Sequence, residues 1–418
     1  MIENPLPGHE SCCRACGAAL RHSFADLGLS PVSNAFIQAA DASRGETFYP
    51  LHALVCDQCW LVQLGQAPRA ELHFHNDYVY FSSYSSTWLA HARAYVTAMQ
   101  ERWQLDSNSK VMEIASNDGY LLQYFRQAGI ACVGVEPSAN TAAAARQKGI
   151  ETHELFFTRD TAAMLAAQGQ QVDLLIGNNV LAHVPDLNDF IGAMPLVMKP
   201  EAVVTLEFPH LLKLIEGNQF DTIYHEHYSY LSLLALLPVF ARAGMRVFDL
   251  EHLPTHGGSL RLYVCLNAAR HQKQAAVDAC LASEKVAGLD SIDVYLRFES
   301  AMRVTKRALL SFMISAKNEG KSVVAYGAAA KGNTLLNYCG IGRDFIDYVV
   351  DANPAKQGRL LPGSRIPVLA PANIAQTRPH YLLVLPWNIA PEVMQQMAGI
   401  RAWGARFVLP IPHVAVLP

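Results

Sequence analysis

The sequence predicts an α/β protein with a small N-terminal module and two larger domains built on open parallel sheets. Three observations lead to this fold class. Paired cysteines crowd the start of the chain, short apolar strands alternate with helical stretches from Lys110 onward, and a second strand–turn–helix pattern begins at Val323. A chain of 418 residues is also too long for one hydrophobic core. We therefore predict a cysteine-rich module over 1–75, a first α/β domain over 76–267 and a second, doubly wound α/β domain over 268–418.

The composition is that of a globular protein without affinity for nucleic acid or membranes. Hydrophobic residues make up 51% of the chain and charged residues 17%, and the net charge of −3 offers no general attraction for a phosphate backbone. We see no apolar run long enough for a transmembrane helix, and residues 1–7 lack the features of a secretory signal. Nine unevenly placed cysteines fit a reduced cytoplasm and one local metal site, so we expect a cytoplasmic protein.

The N-terminal module has the cysteine spacing of a structural zinc site. Cys13 and Cys16 form one CxxC pair, and Cys56 and Cys59 form a second pair forty residues later. Each pair places two thiolates on a tight turn, and two pairs complete a tetrahedral shell with no open position. We predict that these four cysteines hold Zn²⁺, which supplies much of the folding free energy of a small module. Cys12 is adjacent and could replace Cys13.

The first α/β domain has a ligand-binding loop at the end of its first strand. Strand 111–114 runs into the sequence ASNDG at 115–119 and then into a helix, the place where parallel-sheet domains hold nucleotide-like ligands. The loop lacks the glycines of a dinucleotide fingerprint, and its acids would repel a pyrophosphate. This disfavours NAD and favours a ligand with positive charge. The candidate binding residues are Glu113, Ala115, Asn117, Asp118 and Gly119.

Further residues that could bind a nucleoside follow this loop along the chain. Glu136 ends the second strand about twenty residues on, where an acid can clamp the two hydroxyls of a ribose. Phe156 offers an apolar face for adenine, and a later strand runs into Asn178 and Asn179. Together these features resemble the class I S-adenosylmethionine methyltransferases. The resemblance implies that S-adenosylmethionine is the cofactor and that His183 lies where cofactor and substrate meet.

The densest group of ionisable side chains lies at 221–230, which we call the ionisable stretch. Seven of its ten residues, DTIYHEHYSY, carry such side chains between apolar runs. Burying titratable groups destabilises a fold unless each finds a partner, so this density favours catalysis over a plain polar loop. A second metal site through His225, Glu226 and His227 is disfavoured, because histidines separated by one residue diverge outside a strand.

The second α/β domain has a turn suited to an anion. A strand that begins at Val323 leads through a turn with Lys331 into a helix by Asn333, and a helix N-terminus with a nearby lysine binds anions. Asn388 follows a later strand of the same domain, and in the first domain His256 and Gly257 form a turn that either meets substrate or only leads into the next strand. One site for a cationic adenosyl ligand and another for phosphate suggest a methyl acceptor that carries a nucleotide diphosphate.

Over the whole chain, the motifs resemble the sugar C-methyltransferases that build branched deoxysugars on nucleotide carriers. The matching motifs are Cys13-Arg14-Ala15-Cys16-Gly17, Cys56-Asp57-Gln58-Cys59, Glu113-Ile114-Ala115-Ser116-Asn117-Asp118-Gly119, Tyr224-His225-Glu226-His227, His256-Gly257-Gly258 and Gly327-Ala328-Ala329-Ala330-Lys331. The resemblance implies a zinc-binding N-terminal domain, an S-adenosylmethionine-binding middle domain and a Rossmann-like C-terminal domain that helps to hold a nucleotide sugar. It also implies a monomer, with a dTDP-linked 4-keto deoxyhexose as substrate. Ala115 departs from the broader methyltransferase pattern, in which glycine is frequent.

This chemistry assigns roles to the ionisable stretch. Methylation of the carbon next to a ketone needs a base and a group that stabilises the enolate oxygen. His227 is the predicted base, with Glu226 orienting its imidazole or sharing the proton. The predicted oxyanion donors and pocket tyrosines are Tyr224, His183, Tyr80 and Tyr78. The predicted substrate-binding residues are His256, Gly257, Lys331 and Asn388.

Three other interpretations stay open. A methyltransferase with an RNA, protein or other non-sugar acceptor is disfavoured by the balanced charge, and it would give the second Rossmann-like domain no role. An NAD-binding oxidoreductase is disfavoured because residues 327–332 keep only part of a dinucleotide fingerprint. A non-enzymatic scaffold would leave the ionisable stretch unexplained.

Overall fold

Three β-sheets of four, seven and six strands organise the chain in the computed structural model, which describes residues 12–66 and 81–418. The predicted pocket residues Tyr78 and Tyr80 lie outside the described residues. Among the described helices, none combines the length and the apolar character that a membrane span requires.

The four-stranded sheet joins the N-terminal module to a strand from far along the chain. The strands of the module are β1 (His22–Ser30), β2 (Ile37–Gln38), β3 (Tyr49–Val55) and β4 (Val62–Leu64). In β3, Leu51, Ala53 and Val55 alternate with more exposed residues, as expected of a strand with one buried face. The antiparallel order is β1-β3-β4-β10, and β10 (Ser229–Tyr230) is the end of the ionisable stretch.

The seven-stranded sheet follows in the middle of the chain. Its strands are β5 (Lys110–Ile114), β6 (Ala131–Val135), β7 (Glu151–His153), β8 (Val172–Asn178), β9 (Met198–Pro209), β11 (Met245–Leu253) and β12 (Ser259–Leu266). Their order is β11-β12-β9-β8-β5-β6-β7, with β5 to β9 parallel and the last two strands antiparallel. The helices around it are α1 (Ser86–Trp103), α2 (Leu122–Gln127), α3 (Ala139–Gln147), α4 (Arg159–Ala167), α5 (Leu187–Val197), α6 (Leu211–Glu216) and α7 (Leu233–Arg242).

Two helices connect the middle and C-terminal sheets. The first, α8 (Ala275–Val286), packs on α7 and β11 and buries Val277 and Cys280 in the core of the middle sheet. The second, α9 (Ile292–Asn318), packs on β1 of the N-terminal module. The N-terminal module therefore shares a core with the C-terminal part of the chain.

The six-stranded sheet is the C-terminal one. Its strands are β13 (Val323–Tyr326), β14 (Val349–Val350), β16 (Val368–Leu369), β17 (Tyr381–Val384), β18 (Arg406–Leu409) and β19 (Ala415–Leu417), and the short strand β15 (Arg359–Leu360) pairs instead with β2. The helices are α10 (Ala330–Cys339), α11 (Asn373–Thr377) and α12 (Ala390–Gln396). All neighbouring strands are parallel except β18 and β19. The run 345–350 forms a strand only over its last two residues, because Ile346 N–H donates to Gly342 O (3.0 Å) and closes a turn at its start.

Short 3-10 helices connect these elements within the described residues, and three of them carry predicted site residues, namely His183, His256 with Gly257, and Asn388. The seven are Ala39–Asp41, Ser82–Tyr84, Leu181–His183, Phe220–Thr222, Thr255–Gly257, Trp387–Ile389 and Ala398–Trp403.

A buried carboxylate on α8 fixes the start of α7. Glu284 Oε1 accepts hydrogen bonds from Leu233 N and from His210 Nε2, and its Oε2 accepts from Leu234 N, each over 2.7 Å. The first N–H groups of a helix have no partner within the helix and favour a negative charge. Glu284 therefore satisfies donors that would otherwise be buried without acceptors.

Replacing Glu284 with Ala is expected to destabilise the protein by about 3 kcal/mol, because it leaves buried donors unpaired. Urea unfolding followed by circular dichroism measures this loss. Ser232→Ala, which removes only the N-cap bond to Ala235 N (3.2 Å), is the matched control and should cost about 1 kcal/mol. Equal losses in the two variants would contradict the assigned role of Glu284.

Candidate active site

The ionisable stretch lies at the carboxyl edge of the middle sheet and faces the C-terminal domain. The 3-10 helix Leu181–His183, which follows β8, contacts β10, and Phe220–Thr222 contacts α10 of the C-terminal domain. Thr255–Gly257 contacts Trp387–Ile389. Residues from two domains therefore meet around one loop.

His227 is held in one tautomer by a backbone carbonyl. Its Nδ1 lies 2.9 Å from Thr222 O, so Nδ1 carries the proton and donates it, and Nε2 keeps its lone pair. The ring centroid of Tyr224 lies 4.0 Å from that of His227, and the His183 ring lies 4.7 Å away at 75°. The imidazole is therefore fixed with a basic nitrogen available for chemistry.

The surroundings of His227 keep it neutral. Burial is the main cause that lowers its pKa well below 6.5, and the neighbouring His183, His256 and Lys331 lower it further, against the Thr222 carbonyl, which raises it. A group that is already deprotonated near neutral pH can accept a proton there.

His183 and His256, the two histidines that lie near His227, are neutral as well. Burial lowers the pKa of His183 to about 4, against the backbone carbonyl of Glu226, which raises it. Burial and then Lys331 lower the pKa of His256 to about 4. His256 has a left-handed backbone (φ 54°), and its Nε2 lies 3.3 Å from Asn179 Nδ2, which donates to it.

Glu226 points toward the N-terminal module instead of His227. Its Oε1 accepts a hydrogen bond from Asn34 Nδ2 at 2.6 Å. The orienting partner of His227 is thus the Thr222 carbonyl, which corrects the expectation that Glu226 holds the imidazole. The reason is the turn closed by His227 N–H and Tyr224 O (2.9 Å), which sends successive side chains in different directions. Burial raises the pKa of Glu226 to about 7.

The C-terminal domain contributes a linked set of polar side chains. Trp387 Nε1 donates to Asp221 Oδ2 and Lys331 Nζ donates to Asn388 Oδ1, both at 2.7 Å. Lys331 Nζ also lies 4.8 Å from the centre of the Trp387 ring. Burial raises the pKa of Asp221 to about 6, against the charge of Lys331, and burial lowers the pKa of Lys331. The structure thus brings the predicted Lys331 and Asn388 together.

Sequence reasoning did not select Asp221 and Trp387. Their only signals were the position of Asp221 at the start of the ionisable stretch and that of Trp387 beside Asn388. Gly257 has φ 88°, and a Cβ there would lie 2.6 Å from the Trp387 ring, so only glycine permits this approach. The predicted residue Gly257 therefore contacts the C-terminal domain.

The loop after β5 has a shape fixed by Glu136. Ala115, Asn117 and Gly119 all have left-handed backbones (φ 55°, 50° and 73°). The buried Glu136 accepts hydrogen bonds from Asn117 N and Ser138 N, both at 2.9 Å, through separate oxygens. Each carboxylate oxygen can accept a second bond, so the ribose contact of Glu136 stays a prediction that these hydrogen bonds do not exclude.

The residues of this loop fit a cationic, amine-bearing ligand. Burial raises the pKa of Glu113 well above its ordinary value, against the Tyr120 hydroxyl, and a bound positive charge would lower that pKa again. Asp118 Oδ1, Asn178 Oδ1 and Asn179 Oδ1 are buried and have no hydrogen-bond partner among the described residues. These acceptors suit the ammonium and hydroxyl groups of S-adenosylmethionine.

Phe156 lies at the surface. Its side chain is 41% exposed, whereas the next residue, Phe157, is buried with its ring centroid 5.5 Å from that of Phe190. The contact of Phe156 with adenine stays a prediction.

The four predicted zinc ligands lie together. Cys13 Sγ and Cys59 Sγ are 3.5 Å apart, Cys16 Sγ and Cys56 Sγ are 3.6 Å apart, and all four sulfurs lie within 4.8 Å of one another. A tetrahedral site with Zn–S bonds of about 2.3 Å has sulfur–sulfur edges of about 3.8 Å, so the cluster fits zinc. Gln63 Nε2 donates to Cys13 Sγ over 3.1 Å, a contact that suits a thiolate ligand.

The cysteine-bearing module directly supports the ionisable stretch. Tyr228 N–H donates to Ala182 O (2.7 Å), and Tyr228 O accepts from Leu64 N–H (3.0 Å). Arg14, which lies between two of the cysteines, donates from Nη1 to Leu64 O (2.7 Å) and Tyr228 O (3.3 Å). The stretch is therefore held between the zinc module and the loop after β8.

Comparison with known proteins assigns each region to a family. The model "Putative zinc binding domain" matches residues 13–74, "Methyltransferase domain" matches 88–250 and "C-methyltransferase C-terminal domain" matches 254–412. The C-methyltransferase NovU of Streptomyces niveus is 35% identical over 405 residues, which cover 97% of this chain and 96% of NovU.

More distant likenesses cover less of the chain. The ubiquinone biosynthesis O-methyltransferase of Rhodopseudomonas palustris (strain BisA53) is 27% identical over 97 residues, 23% of this chain and 38% of that protein. The structure of magnesium protoporphyrin IX methyltransferase (ChlM) from Synechocystis PCC 6803 is 16% identical, with a TM-score of 0.33, and the likeness covers 42% of this chain and 78% of that one.

The family matches and the full-length similarity to NovU confirm the predicted C-methyltransferase architecture: the chain belongs to the S-adenosylmethionine-dependent C-methyltransferases that combine a zinc-binding domain, a methyltransferase domain and a C-methyltransferase C-terminal domain.

Proposed function

We propose that this enzyme is a cytoplasmic methyltransferase that acts on the carbon next to the ketone of a dTDP-linked 4-keto deoxysugar, by way of an enolate. The observation that carries the proposal is the neutral His227, whose Nδ1 is bonded to Thr222 O and whose Nε2 is basic. Such a nitrogen suits removal of a proton from carbon, and an O- or N-methyltransferase has less need of it, because its acceptor already has a lone pair.

In the first step, His227 Nε2 takes the proton from the carbon next to the ketone. The electrons of that C–H bond move into the C–C bond to the carbonyl, and the negative charge collects on the ketone oxygen. A neutral imidazole is a weak base for this purpose, so the enolate needs donors. The Tyr224 hydroxyl, beside the His227 ring, is our proposed donor and would contribute about 3 kcal/mol in the transition state. The single N–H of the neutral His183 is directed to the backbone carbonyl of Glu226, so we propose that His183 packs against the His227 ring and helps to orient it.

In the second step, the enolate carbon forms a bond to the transferred methyl group. S-adenosylmethionine supplies this methyl on a positively charged sulfur, and the sulfur keeps the electrons of the broken bond. Glu113, Asp118 and Glu136 are the residues we propose to hold the cofactor, through its ammonium and ribose groups. Their task is positioning, because an aligned donor and acceptor supply much of the rate of such a displacement. The proton remains on His227 until solvent removes it.

We propose that the C-terminal domain binds the nucleotide diphosphate of the substrate. Lys331 lies in the first turn of α10, where helix N–H groups also favour an anion. Its burial lowers its pKa, so a negatively charged partner would stabilise the ammonium. Asn388, which accepts a hydrogen bond from Lys331, and His256, whose pKa is lowered by the charge of Lys331, complete the proposed substrate site.

We further propose that Cys13, Cys16, Cys56 and Cys59 bind a structural Zn²⁺. Their sulfurs are spaced for a tetrahedron and leave no ligand position for substrate. The metal would hold the two CxxC turns together and so support the pairing of β4 with β10.

The base assignment can be tested by hydrogen exchange. In deuterated water, the enzyme should exchange the C–H next to the ketone of a dTDP-4-keto deoxyhexose without S-adenosylmethionine. His227→Ala should slow this exchange by about 10²- to 10⁴-fold, because the general base is lost. NMR of the sugar measures the rate.

The matched control is His252→Ala, which removes an exposed histidine of β11 and should exchange at the wild-type rate. Wild-type exchange and methyl transfer in His227→Ala would contradict the assignment.

The zinc assignment has its own test. The purified enzyme should contain one zinc per chain by elemental analysis, and Cys56→Ser should lose it together with thermal stability and methyl transfer, because the module folds on the metal. Cys12→Ser should retain both metal and activity, since Cys12 is exposed and lies outside the four-sulfur cluster. Full zinc content in Cys56→Ser would contradict the ligand set.

A further inference from the structure

Glu226 receives its hydrogen bond from the N-terminal module. Asn34 lies in the loop between β1 and β2, and its Nδ2 donates to Glu226 Oε1 over 2.6 Å. Glu226 is 3% exposed, so this donor takes the place of water at one oxygen of a buried carboxylate. A residue of the zinc-binding module thus acts on a side chain within the ionisable stretch.

The loop that carries Asn34 is braced on both sides. Phe36 N–H donates to Asn34 O (2.9 Å) and Ala35 N–H donates to Val32 O (3.1 Å), which close tight turns around the residue. Ser33 Oγ lies 3.4 Å from Thr334 Oγ1 of α10, and β2 pairs with β15 of the C-terminal domain. The Asn34 amide is therefore presented in a defined position.

The charged surroundings of Glu226 are sparse. Lys356 is the charged group that acts on the Glu226 carboxylate, but its Nζ is bonded to Ala328 O (2.9 Å) and lies 3.6 Å from Asp351 Oδ2. His183 approaches the backbone carbonyl of Glu226 and not its side chain. Asn34 is thus the donor that directly contacts this carboxylate among the described residues.

We propose that Asn34 is a positioning residue for the methyl-transfer reaction, which holds Glu226 as a carboxylate in a single orientation. The inference rests on the proposed function only for its catalytic consequence. The zinc-binding module would then have two tasks, support of the ionisable stretch through β4 and control of one of its ionisable groups through Asn34.

The hydrogen bond from Asn34 to Glu226 should affect the pH dependence of activity. Burial raises the pKa of Glu226 to about 7, and the Asn34 hydrogen bond opposes this rise. Without that donor the carboxyl would keep its proton to higher pH. If the carboxylate is the active form, activity is lost as the pH falls through this pKa, and loss of Asn34 moves the acid limb of the pH profile upward.

The experiment compares Asn34→Leu, Asn34→Asp and Ser33→Ala with the wild type. Ser33→Ala is the matched control, because it alters the same loop without touching Glu226. Infrared titration of the protein alone, with the Glu226 band identified by its loss in Glu226→Gln, gives the midpoint without any substrate. A hydrogen bond to a charged group corresponds to an upward shift of about one pH unit in Asn34→Leu. Asn34→Asp should shift it further, since two carboxyl groups then share a proton.

The acid limb of kcat/KM for methyl transfer should move by the same amount in the Asn34 variants and stay in place in Ser33→Ala. An unchanged infrared midpoint in Asn34→Leu would overturn the proposal, and so would a shifted midpoint with an unshifted acid limb. The midpoint could shift in Asn34→Leu although the wild type methylates no 4-keto sugar. In that case the proposed substrate is wrong, whereas the effect of Asn34 on the Glu226 pKa is confirmed.

Discussion

The pairing of β10 with β4 is the constraint on which the site depends. It ends the ionisable stretch on a strand of the N-terminal module, while Tyr228 N–H ties the same segment to Ala182 O at the exit of β8. Directly before these two attachments in the chain, Thr222 O reaches His227 Nδ1 and fixes its tautomer. A loop held by backbone hydrogen bonds on both sides loses little further freedom when substrate binds, which favours precise positioning of a base.

This arrangement has a cost in stability. A shift of the Glu226 pKa from 4.5 to about 7 corresponds to roughly 3 kcal/mol of destabilisation above pH 7, because the folded protein holds the proton more tightly than the unfolded chain. The penalty is absent below pH 4.5 and complete above the folded pKa. Asp221 carries a similar penalty of the same sign, since burial raises its pKa to about 6. The hydrophobic cores on each side of the ionisable stretch have to offset the destabilisation by Glu226 and Asp221. Buried carboxyl groups with raised pKa values are typical of functional sites.

Much of this organisation could be predicted from local sequence. The CxxC pairs predicted the four-sulfur cluster, and apolar runs predicted strands such as β5, whose bounds Lys110–Ile114 agree with the predicted 111–114 to within one residue. The density of ionisable residues located the stretch that contains His227. These signals are local, because they depend on spacing within a few residues.

The remaining features depend on contacts between distant parts of the chain. The partner of His227 is the backbone carbonyl of Thr222, and because every residue has such a carbonyl, the sequence does not indicate this contact. The bonds of Asn34 to Glu226 and of Trp387 to Asp221 join residues 192 and 166 positions apart. The central claim, a neutral His227 with a basic Nε2, is tested most directly by ¹⁵N NMR of histidine-labelled protein, with the His227 signals identified by their loss in His227→Ala. The account predicts a neutral ring at pH 7 with the proton on Nδ1, and a proton on Nε2 or a charged imidazolium at that pH would contradict it.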